Sequence, residues 1–154
     1  MNVYRISRCA YIDDLSGTGA LFYPGRWHNK GSAVLYTSSS ASLALLESIV
    51  HITSVVKINM CMICLELPAA APIKNVLLSE LPADWLNNPP PEVLKNYGDQ
   101  LVRDNKLLAL RVPSAVMPEE SNYILNTGHK DYHKIKIRYH RAIHIDERFF
   151  NAKK

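Results

Sequence analysis

Three side chains in the first third of the chain have types that could work on one substrate: Arg26, Tyr36 and Glu47. A planar guanidinium can grip two phosphate oxygens at once. An aromatic face suits a flat ring, and a carboxylate suits positive charge that develops during bond cleavage. Together they would fit a dinucleotide. Arg26 lies in Phe22-Tyr23-Pro24-Gly25-Arg26-Trp27-His28-Asn29-Lys30-Gly31, where glycine permits close backbone approach. The plainer alternative is a surface turn with an exposed charge. The segment has no G-x-G-x-x-G or Walker pattern, so Rossmann and P-loop nucleotide binding are not supported.

These residues need elements to position them. A helix is expected from Ala41 to about His51, capped by the hydroxyl of Ser39 or Ser40. At about 100° per residue, Leu43, Leu46 and Val50 define its buried stripe, with Glu47 roughly 40° from Leu43. A carboxylate there is partly desolvated and needs a donor or a positive partner. His51, one turn on, is a candidate partner, and a backbone bond at the edge of the core is the alternative. Tyr36 falls on a strand, Ala33 to Thr37, that leads into this helix.

Further strands are expected at Lys57 to Leu67, Leu107 to Val112 and Asn122 to Leu125. The first is apolar on both faces and reads as central. From Ile135 onward, Ile137, Tyr139, Ile143 and Ile145 alternate with polar residues, which predicts a strand with one side in water. Pro89-Pro90-Pro91 leads into a helix from Glu92 to about Asn105. The sum is a single α+β domain over residues 1–154, with a mixed or antiparallel sheet and a few helices.

Composition excludes several classes. No apolar run approaches the ~20 residues that span a bilayer, and the opening residues lack a secretory layout, so a cytoplasmic protein without membrane contact is expected. Net charge is +4, of which +5 lies from Lys130 onward, where eight Lys or Arg face three acids. A lysine-guarded edge strand accounts for that tail better than direct nucleic-acid binding. Cys61 and Cys64 form a lone C-x-x-C without further ligands, and are expected to be buried strand thiols. His140 and His144 lie four apart in a strand-like segment, where that spacing makes no helical metal pair. Ser114 is outside any G-x-S-x-G elbow, which argues against a serine hydrolase.

Several segments in order resemble the RES family, named for an arginine, a glutamate and a serine. They are Val3-Tyr4-Arg5, Leu15 to Ala20, Gly25-Arg26-Trp27, Val34 to Ser38 and Leu43 to Glu47. Leu81 to Trp85, Val112 to Ala115, Asn122 to Asn126 and Ile145 to Arg148 continue the match. His28 stands where the family often has Asn, and Asn126-Thr127-Gly128-His129 replaces a commoner Asn-Pro-x-His.

The resemblance implies an ADP-ribosyltransferase-like fold and a bacterial toxin, paired with an Xre-like antitoxin that blocks its cleft. It implies NAD⁺ as substrate, with no cofactor and no metal. Cleavage of the nicotinamide–ribose bond would pass the ribose to water or phosphate, or, as an alternative, to a protein. Arg26, Glu47 and Ser114 match the family's three residues, and Arg5, Tyr36 and Asn122 match positions that line its cleft. On this footing Glu47 stabilises the ribosyl cation, and Arg26 anchors pyrophosphate with Arg5 as a second candidate. Tyr36 meets nicotinamide, and Ser114 bonds a ribose or amide group. A nuclease using His133, His140 or His144 and a non-catalytic binding module are the remaining alternatives, and self-association stays open.

Overall fold

The computed structural model describes residues 1–52 and 59–150. Among these residues the seven strands are β1 (Asn2–Arg8), β2 (Val34–Ser38), β3 (Met60–Glu66), β4 (Ile73–Asn75), β5 (Ala109–Pro113), β6 (Ser121–Asn126) and β7 (Lys136–Ile143). The α-helices among them are α1 (Thr18–Phe22), α2 (Ala41–Ile49) and α3 (Lys95–Asp104). The strands form one sheet in the order β4-β5-β6-β2-β1-β3-β7. Only β4 and β5 run parallel; every other neighbouring pair is antiparallel. The mixed-sheet α+β expectation is met.

The sheet separates two apolar layers, as period-two alternation requires. Val3, Leu35, Ile63, Leu65, Tyr123 and Leu125 pack on one face. Val34, Leu110, Val112 and Ile124 pack on the other, with Trp27, Trp85, Leu94 and Leu101 above them. The most informative irregularity lies between β1 and β2. Their ladder holds a single register pair, Tyr4 with Ser38, whereas β1 pairs with β3 along its whole length. The sheet therefore consists of two halves, joined at one rung and open beyond it.

Expected strands and helices recur with shifted ends, because terminal residues fray. Residues 57 and 58 of the expected central strand lie outside the described residues, while Met60 to Cys64 are buried on both faces as anticipated. Ser40 is the helix cap, its Oγ accepting from Leu43 N at 3.1 Å. The helix is rotated from its predicted phase: Leu43 and Ala44 are buried, while Val50 is 56% exposed. Glu47 follows these two by four and three residues, so it lies closer to the buried face than its expected flank.

Two expectations fail. β7 is exposed along nearly its whole length, with Ile137 and Tyr139 in solvent, because it is the outermost strand and no described layer covers its alternating face. Its edge position does fit the lysine-guarded strand. The cysteines also depart from expectation. Cys61 is joined to Cys9 in a disulfide, and only Cys64 remains a buried thiol. Residues three apart in a strand face opposite ways, so the C-x-x-C spacing could not unite Cys61 with Cys64. Cys9 reaches Cys61 from a short turn just after β1, where its amide also donates to Asn59 O at 2.9 Å.

Candidate active site

The opening between β1 and β2 continues into a cleft of about 1500 Å³. Arg5, Arg26, Tyr36, Glu47 and Asn122 all line it. Five of the six residues singled out from sequence thus meet around one space, although β1, the Arg26 loop, β2, α2 and β6 supply one each. Ser114, the sixth, is immediately behind Glu47 and fully buried.

Glu47 is held by two side-chain donors from distant parts of the chain. Its Oε1 accepts from Ser114 Oγ at 2.7 Å and from Asn122 Nδ2 at 2.6 Å. Asn122 is oriented in turn by Ser38, whose Oγ donates to Asn122 Oδ1 at 2.8 Å. This fixes which end of the amide faces Glu47. Ser114 Oγ accepts from Val116 N and Met117 N, both at 3.0 Å, so its proton is directed onto the carboxylate. Among the described residues no donor reaches Glu47 Oε2. His51, one of the candidate partners, is exposed on the cleft wall and makes no bond to Glu47 among these residues, and the alternative of a backbone bond is not met there either.

The helix that carries Glu47 is braced at its other end. Ser40 Oγ donates to Glu120 Oε2 at 2.7 Å, and Glu120 O accepts from Ser114 N at 3.0 Å. The α2 cap and the β5–β6 turn thereby hold each other. Neither Ser38 nor Glu120 was singled out from sequence. The serine run was read only as a cap, and bonds across some 80 residues leave no local pattern.

Arg26 Nη1 donates to Trp85 O at 2.6 Å and Asn87 O at 3.1 Å, which draws the Leu81–Asn87 segment toward the loop. Its burial lowers the guanidinium pKa, opposed by the charge of Glu47. Arginine stays protonated across all ordinary pH. Arg5 Nη1 donates to Tyr11 O and Ile12 O at 3.3 and 3.1 Å; burial lowers its pKa as well, opposed by Asp14.

The hydroxyl of Tyr36 is engaged within the protein. It accepts from Trp27 N at 3.1 Å and lies 2.8 Å from His28 Nδ1. His28 Nε2 faces Tyr23 O at 3.1 Å, so Nε2 carries the imidazole proton and Tyr36 donates to Nδ1. Burial raises the Tyr36 pKa and lowers that of His28, and both groups stay neutral near pH 7. Only the ring of Tyr36 is left for a ligand. Gly25 makes this packing feasible, since a Cβ there would stand 2.6 Å from the Tyr36 hydroxyl. His28 was noted in sequence only as a departure from family habit; its role depends on a contact eight residues away.

A cleft between two half-sheets, with a clamped glutamate and two arginines, can bind an extended anion and steady a cation beside it. The RES domain profile matches residues 2–146. "Toxin Res" of Photorhabdus laumondii subsp. laumondii is 36% identical over 157 aligned positions, covering 100% of both chains. "Prs ADP-ribosylating toxin" of Sphingobium sp. (strain YBL2) is 36% identical over 135 residues, 86% of this chain and 84% of that one. A chain of the M. tuberculosis MbcT–MbcA toxin–antitoxin complex superposes with a TM-score of 0.73 at 15% identity, over 92% of this chain and 83% of its own. The likeness of fold to that chain extends over nearly the whole mixed-sheet α+β domain, and the profile match with the full-length relative shows that this chain belongs to the RES-domain family.

Proposed function

We propose that this protein is the toxin of a bacterial toxin–antitoxin pair and acts by consuming NAD⁺. The observation that carries the reading is the state of Glu47. One carboxylate oxygen is clamped by two donors while the other is left to a cleft that also holds two arginines and an aromatic ring. Names borne by relatives at 36% identity support the toxin assignment.

In this scheme the C1′–N bond of the nicotinamide riboside breaks, and its electron pair leaves with nicotinamide as a neutral base. The ribose becomes an oxocarbenium-like cation, as in glycoside hydrolysis. Glu47 stabilises that charge and holds the ribose hydroxyls through Oε2. Arg26 keeps Nη1 on the backbone and offers its other nitrogens to the pyrophosphate, with Arg5 as the second anchor. The Tyr36 ring packs on nicotinamide. Water or inorganic phosphate then attacks C1′, and the proton released goes to solvent.

Ser114 takes a different role from the substrate contact expected of it. Its proton and its accepting capacity are already committed to Glu47 and two amides, and it has no exposed surface. It positions the carboxylate. Asn122 does the same at the cleft wall.

Transfer of ADP-ribose to a protein is the second reading, favoured by the name of the Sphingobium relative. An Xre-like antitoxin is the proposed partner and the cytoplasm, with its NAD⁺ pool, the proposed location. Among the described residues no helix is long and apolar enough to cross a membrane. A cytoplasm is reducing, so the Cys9–Cys61 bond is expected to open there.

The test is NAD⁺ concentration over time with purified protein, with and without phosphate, using Glu47→Gln as the blank. Release of nicotinamide that the variant abolishes supports the reading, and a phosphate requirement names the acceptor. Intact NAD⁺ with folded protein defeats glycohydrolysis; label from NAD⁺ appearing on protein in cell extract would then establish the transferase.

A further inference from the structure

The Arg26 loop is fastened to α3 by bonds that never touch Glu47. The Asp99 carboxylate accepts three of them, from Asn29 N at 2.9 Å, Asn29 Nδ2 at 2.7 Å and Ser32 Oγ at 2.6 Å. Burial alone would raise the Asp99 pKa, but these donors outweigh it and hold the group below the ordinary carboxylate range. One residue earlier, the Gly98 amide donates to Trp27 O at 2.8 Å. A Cβ on Gly98 would stand 2.2 Å from that same oxygen, so any other residue here forces helix and loop apart.

The helix therefore grips the loop on both sides of its tip, at Trp27 and again at Asn29 and Ser32. Between these grips and the two backbone bonds of Arg26, little freedom remains for the guanidinium. We propose that Gly98 and Asp99 are positioning residues that hold the Arg26 loop in its ligand-binding form before any dinucleotide arrives. The function of the held loop rests on the reading of the cleft as an NAD⁺ site.

Different bonds thus serve the two ends of one cleft. Glu47 is held by Ser114 and Asn122, whereas the loop that carries Arg26 is fastened to Gly98 and Asp99 of α3. A loosened loop must be reordered by the ligand, which weakens binding. Once the ligand is seated the loop is ordered again and Glu47 is unaltered, so turnover at saturation persists. A role confined to global stability would produce no such division.

Asp99→Asn keeps the shape while removing the charge and one acceptor. The expected result is a KM for NAD⁺ raised about tenfold with kcat within about twofold. Combined with Arg26→Lys, its effect on KM should be less than additive, because both act through the loop. Combined with Ser114→Ala, the effects should add. A fall in kcat at unchanged KM, or full additivity with Arg26→Lys, overturns the proposal. Gly98→Ala should act in the same direction, and if it does not fold the Asn variant still decides.

Amide hydrogen exchange supplies a readout that does not need NAD⁺. Residues Arg26 to Ser32 should exchange faster in Asp99→Asn than in the parent, with α2 and β6 unchanged. Equal exchange in the loop overturns the proposal even where NAD⁺ is consumed. Faster loop exchange in a protein that leaves NAD⁺ intact supports the positioning and defeats only the reading of the cleft.

Discussion

Removing the Ser114 hydroxyl discriminates sharply between a group that touches substrate and one that aims the carboxylate. Ser114→Ala deletes a 2.7 Å bond to Glu47 and strips the acceptor from two backbone amides. A hydrogen bond to a charged group contributes about 1.5–3 kcal/mol. Val116 and Met117 are partly exposed, so water can satisfy their amides and adds little to the loss. The destabilisation should be about 2–3 kcal/mol, which for a chain of this size lowers Tm by roughly 4–12 °C. Asn122 still holds Glu47, so the carboxylate is loosened rather than released. If its misplacement forfeits about 1.5–3 kcal/mol of transition-state stabilisation, kcat falls about ten- to a hundredfold. KM should move by less than about threefold, since no substrate bond is lost. Initial rates of nicotinamide release across a range of NAD⁺ concentrations separate the two constants. A raised KM with preserved kcat would show that Ser114 meets the substrate and would refute the positioning role.

Glu47→Gln retains shape and loses charge; kcat should drop at least about a hundredfold, and turnover within about threefold of the parent sinks the proposed role. The pH dependence of stability should carry a His28 component. Burial depresses its pKa below the ordinary 6.5, so an unfolded chain binds the proton first as pH falls. Its contribution is complete above about pH 6.5 and declines toward the lower folded value. Tm measured from pH 7.5 to 5 should fall less steeply in His28→Asn, and an identical slope would contradict this. Reduction of Cys9–Cys61 opens a link between residues 52 apart, which chain entropy values at up to about 4 kcal/mol. Dithiothreitol should lower Tm in the parent and leave Cys61→Ser unaffected; equal responses would count against the bond.

Local order was legible in the sequence wherever neighbours decide it. The Ser40 cap, the apolar Met60–Cys64 run and the helix after the prolines all depend on residues within a few positions. The phase of α2 was missed because Val50 is as apolar as Leu43 yet lies past the sheet, where nothing described covers it. β7 shows the same limit, since alternation can announce a face without supplying a layer to bury it. Arg26, Tyr36 and Glu47 stood out by residue type, Arg5 and Asn122 only through a resemblance, and spacing alone had left the roles of all five open. What neither route disclosed is the scaffolding, Ser38 on Asn122, Glu120 on Ser40 and Asp99 on the loop. These bonds join residues 67 to 84 apart and become visible only once the chain is folded.

The single rung between β1 and β2 also has a bearing on biosynthesis. A ribosome delivers Arg5, Arg26, Tyr36 and Glu47 early, but β2 has no partner along most of its length until β6 emerges. Both donors to Glu47 arrive 67 and 75 residues after it. Until then the nascent chain carries the charged groups without the frame that orients them. Premature termination anywhere before Asn122 yields a polypeptide with Arg5, Arg26, Tyr36 and Glu47 but without the donor pair, so competence awaits the emergence of β6.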